Sequence, residues 1–273
     1  MNNALPTIGA AMTIDKLAIY RDWLIDGRRD LEIQDAVSPQ VLDGDWRGEA
    51  RRGRALLEGF EGRLGIHGPF LGLTLTAHDP MVREVVIARL RRGLEFAGEL
   101  GATHMVVHSP FLSFGSPFLP FVPASRRTHE IGLAHAVIEP LLPLAEQLHC
   151  MLVIENIVDA NPAPLLDLIH SFDSPLVQAS LDTGHATITQ RTGGPPPDQW
   201  VREAGPLLAH VHVQDSDGHL DRHWAPGDGA INWYALFEAI GELAHQPRMV
   251  LELRDHSHIP RGAAYLAERG FVR

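Results

Sequence analysis

The segment Met151-Leu152-Val153-Ile154-Glu155 is a continuous apolar run that ends in a carboxylate. Such runs are typical of parallel strands that are buried on both faces of a sheet. The chain contains eight predicted strands, most of the same character: Thr7–Met12, Leu31–Ala36, Leu64–His67, His104–His108, Met151–Glu155, Gln178–Asp182, Ala209–Val213 and Met249–Leu253. Eight parallel strands are the number that a closed (β/α)8 barrel requires.

Helical patterns separate the predicted strands. The clearest is Pro80–Leu100, which places valines and leucines on one face and arginines on the other. The remaining predicted helices are Asp15–Ile25, Ser125–Leu148, Ala163–His170, Trp233–Ala244 and Gly262–Arg269, and Pro195–Pro197 is predicted to lie in a loop. Because no polar linker interrupts the alternation, we predict an α/β fold, a single (β/α)8 TIM barrel that occupies residues 1–273 as one domain.

The composition excludes several classes of protein. Of 273 residues, 45% are hydrophobic and 21% are charged, which argues against disordered, collagen-like and coiled-coil chains. No apolar run approaches the roughly 20 residues that span a bilayer, and the first residues lack the pattern of a signal peptide, so a cytoplasmic protein without a membrane partner is expected. The net charge of −11 does not favour nucleic-acid binding, although a local basic groove remains compatible with it.

Two rare residues exclude further chemistry. Cys150 is the only cysteine, so an intrachain disulfide is impossible, and its position before an apolar run predicts a buried, inert thiol. Lys16 is the only lysine and lies at the start of an amphipathic stretch. Schiff-base chemistry requires a buried lysine with a lowered pKa, so this position argues against it.

Potential metal ligands lie at the ends of six consecutive predicted strands: His67, His108, Glu155, Asp182, His212 and Glu252. The carboxyl ends of parallel barrel strands converge on one face, where active sites form. Any one of these residues could be an ordinary histidine at the rim or half of an ion pair. Six together favour a cation, because buried carboxylates are costly without one. Mixed imidazole and carboxylate ligands suit zinc, manganese or iron.

Loop residues extend this candidate site. His185 follows Asp182 by three positions, and Asp221 and His223 lie two apart after the seventh predicted strand. Turns at Pro226, Gly227 and Gly229 could direct that loop towards the site. His210 shares a strand face with His212 but lies one layer deeper, so it is a less favoured ligand. The other strand-start and helical histidines are predicted to be structural or exposed.

These ordered motifs, from Ile66 to Glu252, resemble the xylose isomerase-like superfamily of TIM barrels. It contains sugar isomerases and epimerases as well as the endonuclease IV family, also called AP endonuclease family 2. The resemblance to the epimerases implies a metal quartet of Glu155, Asp182, His212 and Glu252. Its two glutamates would exchange protons with the substrate through an enediolate. The resemblance also implies substrate contacts from His185 and Arg222, and we expect Phe70, Trp224 and Phe111 to wall the pocket.

The resemblance to endonuclease IV implies a site for three zinc ions. Its additional ligands match His67, His108, His185, Asp221 and His223, with Glu155 bridging two metals. Two departures favour a small substrate instead. The loop after His67 carries the apolar pair Phe70 and Leu71 without a basic residue, although phosphate contacts dominate DNA binding. Gly184 stands where nucleases commonly have cysteine.

The leading hypothesis is therefore a divalent-metal-dependent isomerase or epimerase of a sugar, sugar phosphate, keto-sugar or related polyol. The alternative is an endonuclease IV-like zinc phosphoesterase that cleaves at abasic sites. A third interpretation, a metal- or sugar-binding protein without catalysis, is less favoured because no ligand position is visibly broken. The cofactor would be one to three ions of zinc, manganese or iron, and the partner a small sugar-like molecule. A homo-oligomer is expected only by analogy with the superfamily.

Overall fold

The computed structural model describes residues 5–111 and 124–273. Eight parallel strands pair in sequence order, and the last closes on the first. They are β1 (Gly9–Met12), β2 (Leu31–Ile33), β3 (Leu64–His67), β4 (His104–His108), β5 (Met151–Glu155), β6 (Val177–Asp182), β7 (Leu208–Val213) and β8 (Arg248–Leu251). The predicted (β/α)8 barrel is confirmed.

The strand boundaries agree best where apolar residues run without interruption. The predicted bounds of β3, β4 and β5 are those of the structure. In contrast, β2 ends at Ile33 rather than at Ala36, because Asp35–Val37 forms a 3-10 turn. At β8 the ladder ends at Leu251, so Glu252 lies just beyond the strand instead of within it. Its backbone N–H still donates to the carbonyl oxygen of Val213 on β7, which places Glu252 at the mouth of the barrel.

Helices surround the barrel. They are α1 (Ile14–Asp26), α2 (Pro39–Asp43), α3 (Trp46–Leu56), α4 (Pro80–Leu100), α5 (Ala124–Ile138), α6 (Leu142–Gln147), α7 (Pro162–Ser171), α8 (Thr183–Thr189), α9 (Pro197–Ala204), α10 (Trp233–Glu242) and α11 (Ile259–Glu268). None of the helices in the described parts of the chain is long and apolar enough to cross a membrane.

Two helix predictions need correction. The predicted helix Ser125–Leu148 is broken by a 3-10 turn at Glu139–Leu141, where Pro140 cannot donate a backbone hydrogen bond. The proline run was predicted to be entirely loop, but Pro197 is the first residue of α9, a position that tolerates the missing N–H. In addition, the helices α2, α3, α8 and α9 were not predicted.

The barrel interior combines apolar packing with an unusual set of buried polar side chains. Glu32, His104, His210 and His212 are all fully buried. His104 fits because Gly65 on the neighbouring strand leaves room, since a Cβ at Gly65 would lie 1.9 Å from the His104 ring. Outside the barrel, Cys150 is buried as predicted, and burial raises the pKa of its thiol to about 12. The four buried polar side chains of the barrel interior lie directly below the face that carries the predicted ligands.

A methyl group at Gly65 should test this packing. We expect Gly65→Ala to lower the unfolding free energy by about 1–3 kcal/mol, because the ring of His104 must move within a closed barrel. The control is Gly132→Ala on α5, where nothing lies within 4 Å of the new Cβ and a gain of up to about 1 kcal/mol is expected. Urea unfolding of metal-free protein measures both changes. Equal stability of the two variants would contradict this account.

Candidate metal centre

The carboxyl ends of the strands bring the predicted ligands together. Strand register places His108 beside Glu155 and Asp182 beside His212. The nine predicted ligands form three groups whose potential ligand atoms lie within 4.8 Å of one another. The groups are His67, His108 and Glu155; Glu155, Asp182, His212 and Glu252; and His185, Asp221 and His223. Glu155 belongs to two of them.

The first group has the spacing of a coordination site. The Nε2 atoms of His67 and His108 lie 3.4 Å apart, and Glu155 Oε2 lies 3.6 Å and 3.7 Å from them. In a tetrahedral zinc site with bonds of about 2.0–2.1 Å, neighbouring ligand atoms lie roughly 3.4 Å apart. Glu155 Oε2 is buried and has no hydrogen-bond partner within the described chain. These three side chains therefore fit a bound cation better than a hydrogen-bonded cluster.

The second group, the quartet, concentrates negative charge. The Nδ1 atom of His212 lies 3.0 Å from Glu155 Oε1 and 3.4 Å from Glu252 Oε2. Asp182 completes the group, and both of its oxygens accept hydrogen bonds from Gln214 Nε2. Three carboxylates around one imidazole would repel one another, so a divalent cation matches this donor set.

The third group lies partly in a loop. Asp221 Oδ1 is 3.6 Å from His185 Nε2, and Asp221 Oδ2 is 2.9 Å from His223 Nε2. His223 has a φ of +49°, a left-handed conformation that is uncommon outside glycine. Gln214 supports this conformation by accepting the backbone N–H of His223 at Oε1 and donating to Asp221 from Nε2. The strained residue is thus held towards the other two groups.

Asp215 organises the same loop from within. Its buried carboxylate accepts backbone N–H groups of Ser216, Gly227 and Ile231, and the indole N–H of Trp233. Gly227 has a φ of +95°, which glycine adopts without steric cost. The turns predicted at the glycines therefore exist, and the Asp215 carboxylate holds several points of the loop together.

Backbone carbonyls orient three of the histidine ligands. The Nδ1–H groups of His67, His185 and His223 donate to the carbonyl oxygens of Gly68, Asn156 and Glu252 at 2.9–3.0 Å. Each bond leaves Nε2 directed at the candidate site. This arrangement of a metal-binding imidazole with its second nitrogen fixed is common around bound metals.

The pKa values of the imidazoles reflect the uncompensated carboxylates. Burial alone would lower the pKa of His185, but Asp182, Asp221 and Glu155 reverse the effect and raise it to about 10. The same competition raises the pKa of His223 to about 9, mainly through Asp221 and Glu252. In the metal-free protein, protons on these rings therefore balance the negative charge.

A cavity of about 380 Å³ opens onto the groups. Its described lining residues are Gln34, Val37, His67, Phe70, His108, Glu155, Ile157, His185, Asp221, His223 and Glu252. The Phe70 ring stacks on His108 with centroids 4.1 Å apart, and Gln34 Nε2 donates to Glu252 Oε1 at 2.8 Å. The described lining contains neither lysine nor arginine, so the cavity suits a small, uncharged molecule better than a polyanion.

Three residues predicted to contact substrate lie away from this described lining. The Arg222 guanidinium pairs with Asp217 at 2.9 Å and stacks on the ring of Trp224, which is 36% exposed. Arg222 would have to leave Asp217 to reach the cavity. Phe111 is buried in the hydrophobic core. Of the predicted aromatic wall, only Phe70 lies at the cavity in the described chain.

Sequence reasoning missed Glu32, in the middle of β2, and Gln34, just after this strand. Glu32 forms a further group with His210 and His212, one layer below the quartet. A carboxylate between Leu31 and Ile33 in an apolar strand was the available signal, since such a residue is costly to bury without a partner.

Metal binding should release protons. Because only neutral imidazole coordinates a metal, the protons held by His185 and His223 must leave. The apparent affinity for zinc should therefore increase as the pH rises from about 6 to about 9. The binding heat should also vary with the ionisation enthalpy of the buffer, as titration calorimetry in two buffers at one pH measures. Affinity that is constant over this range would contradict the charge balance described above.

Comparisons with known proteins agree with the fold. An uncharacterized protein of Methanocaldococcus jannaschii, MJ1311, is 23% identical over 205 residues, which cover 72% of this chain and 66% of the relative's length. A solved D-tagatose 3-epimerase-like protein has a TM-score of 0.77 at 20% identity, covering 96% of both chains. The TTHB071 protein from Thermus thermophilus, from crystals soaked with ZnCl2, has a TM-score of 0.74 at 26% identity, covering 96% of this chain and 98% of that one.

The family comparison covers nearly the whole chain. A model of the xylose isomerase-like TIM barrel family matches residues 31–273, which include β2 to β8 and all nine predicted ligands. The chain therefore belongs to the xylose isomerase-like TIM barrel family.

Proposed function

We propose that this protein is a divalent-metal-dependent isomerase or epimerase of a sugar, a keto-sugar or a related polyol. The observation that carries the proposal is the placement of Glu155 and Glu252 within 3.0 Å and 3.4 Å of His212 Nδ1, at the wall of a 380 Å³ cavity. Two carboxylates at one small cavity can remove and return a proton. The proposal is also supported by the likeness to the D-tagatose 3-epimerase-like protein.

The surroundings of the two glutamates favour different roles. Burial would raise the pKa of Glu155, but His212 and His67 hold it well below its usual range, so this carboxylate stays ionised. Burial raises the pKa of Glu252, and Glu155 raises it further. Two carboxyl groups with separated pKa values are typical of an acid and a base that act together. Glu155 would accept the proton, and Glu252, held by Gln34, would supply it.

The quartet fits a divalent metal, which would draw charge from neighbouring carbonyl and hydroxyl oxygens of the substrate. His185 would contact one of these oxygens from the edge of the cavity. Phe70, Val37 and Ile157 would form an apolar wall against the carbon skeleton. Such a combination of apolar walls with few polar groups is typical of sites for small molecules.

Solvent-deuterium exchange tests this function. In D2O, the wild-type protein with zinc or manganese should place deuterium at the carbon next to the carbonyl of at least one sugar from a panel of ketohexoses and their phosphates. Glu252→Gln should lower the exchange rate by at least about 10²-fold, because the amide cannot transfer the proton. Glu155→Gln should do the same.

The control is Glu146→Gln on the exposed surface of α6, which should leave exchange unchanged. Elemental mass spectrometry of each variant shows whether the metal is retained. Exchange at the wild-type rate in both Glu155→Gln and Glu252→Gln would reject the proposed roles of the two glutamates in proton transfer.

Phosphoester hydrolysis is the second candidate, and one observation favours it. All three ligand groups form, with Glu155 shared between two of them, whereas a single-metal epimerase needs only the quartet. Three metal ions at these groups would generate a nucleophile and stabilise the leaving oxygen. The absence of lysine and arginine from the described cavity lining argues against a nucleic-acid substrate.

An abasic-site DNA duplex and a simple phosphodiester distinguish the two candidates. If the protein is a phosphoesterase, zinc-loaded protein should cleave one of them, and His108→Ala should reduce cleavage by about 10²-fold through loss of a ligand to the first group. His170→Ala, on the exposed surface of α7, is the control. Under our leading proposal, neither substrate is cleaved while the sugar exchange proceeds.

A further inference from the structure

Glu32 is a fully buried carboxylate in the middle of β2, and the proposed chemistry does not use it. Its Oε1 accepts a hydrogen bond at 2.9 Å from Nε2 of His212, the imidazole of the quartet. The Nδ1 atom on the opposite side of the same ring faces Glu155 and Glu252. Glu32 therefore contacts the candidate metal centre through a ligand and does not line the cavity.

The other oxygen of Glu32 faces a second imidazole. Glu32 Oε2 lies 3.2 Å from Nε2 of His210, whose Nδ1 is 2.8 Å from the Ser180 hydroxyl. His104 lies further away, with its Nε2 at 3.9 Å. The contact between Glu32 Oε2 and His210 Nε2 is within ion-pair distance, but neither atom has a hydrogen-bond partner in the described chain. The hydrogen bond from His212 is therefore the directional contact of this carboxylate.

His212 differs from three of the other histidine ligands in its orienting partner. His67, His185 and His223 donate to backbone carbonyls, whereas His212 donates to a charged carboxylate. A charged acceptor forms the stronger hydrogen bond and makes the imidazole a better electron donor. Burial of a carboxylate costs free energy. The position of Glu32 beneath one particular ligand therefore indicates a functional role.

We propose that Glu32 is a positioning residue of the metal centre. It fixes the Nε2–H form of His212, so that the Nδ1 lone pair is directed at the quartet, and its charge strengthens the bond from this ligand to the metal. The inference rests on the metal dependence of the proposed function but not on the identity of the substrate.

Metal affinity, rather than catalytic rate, tests the role of Glu32. Stepwise zinc titration against a chromophoric chelator should show one binding step weakened about tenfold in Glu32→Gln and about 100-fold in Glu32→Ala, the range found for outer partners of metal ligands. The remaining steps should be unchanged. The matched control is Asp30→Asn, which removes a buried carboxylate that pairs with Arg63 just before the start of the same strand. It should lower stability and leave every zinc affinity unchanged.

A measurement on the wild-type protein keeps the inference testable if the variants do not fold. In 15N-histidine NMR spectra of zinc-loaded protein, one ring should show a slowly exchanging Nε2–H together with a metal-bound Nδ1, the reverse of the other ligand rings. The absence of such a ring would overturn the inference. So would unchanged zinc affinity in folded Glu32→Gln and Glu32→Ala, or equal weakening of every step. Wild-type protein that binds no divalent metal would overturn the proposed function as well.

Discussion

Negative charge buried at one end of the barrel is the constraint on which this site depends. Four buried or nearly buried carboxylates lie there: Glu32, Glu155, Asp182 and Glu252. Isolated, each would be strongly destabilising in an apolar interior. Imidazoles on neighbouring strands compensate part of this charge, and a divalent cation would compensate the negative charge that remains. The fold and the site are thus connected, because the barrel alone brings the strand ends close enough for this compensation.

The sequence was sufficient to predict the barrel and the convergence of the nine candidate ligands. Strands such as β3 to β5 are largely apolar runs, so the ends of these strands can be predicted from the sequence alone. Short helices such as α8 and α9 were missed because one or two turns carry little periodicity. Gln34 and Gln214 were not predicted as site residues for a different reason. Their importance arises from contacts across the barrel, to Glu252 and Asp182, which local sequence patterns do not contain.

The side chain of Arg222 shows how local partners set the direction of a side chain. Its position in the chain matches a substrate contact, yet its guanidinium pairs with Asp217 and covers Trp224. Side-chain direction depends on local partners that a motif does not specify.

The loop tied by Asp215 has a consequence for how this family can diversify. Two members of the third ligand group, Asp221 and His223, come from that loop, whereas the first group and the quartet come from strand ends. An exchange of this one surface segment would remove or restore the third candidate ligand group while the barrel and its deeper candidate ligands stay intact. The architecture therefore separates ligand positions that are built into the barrel from positions that a replaceable loop carries.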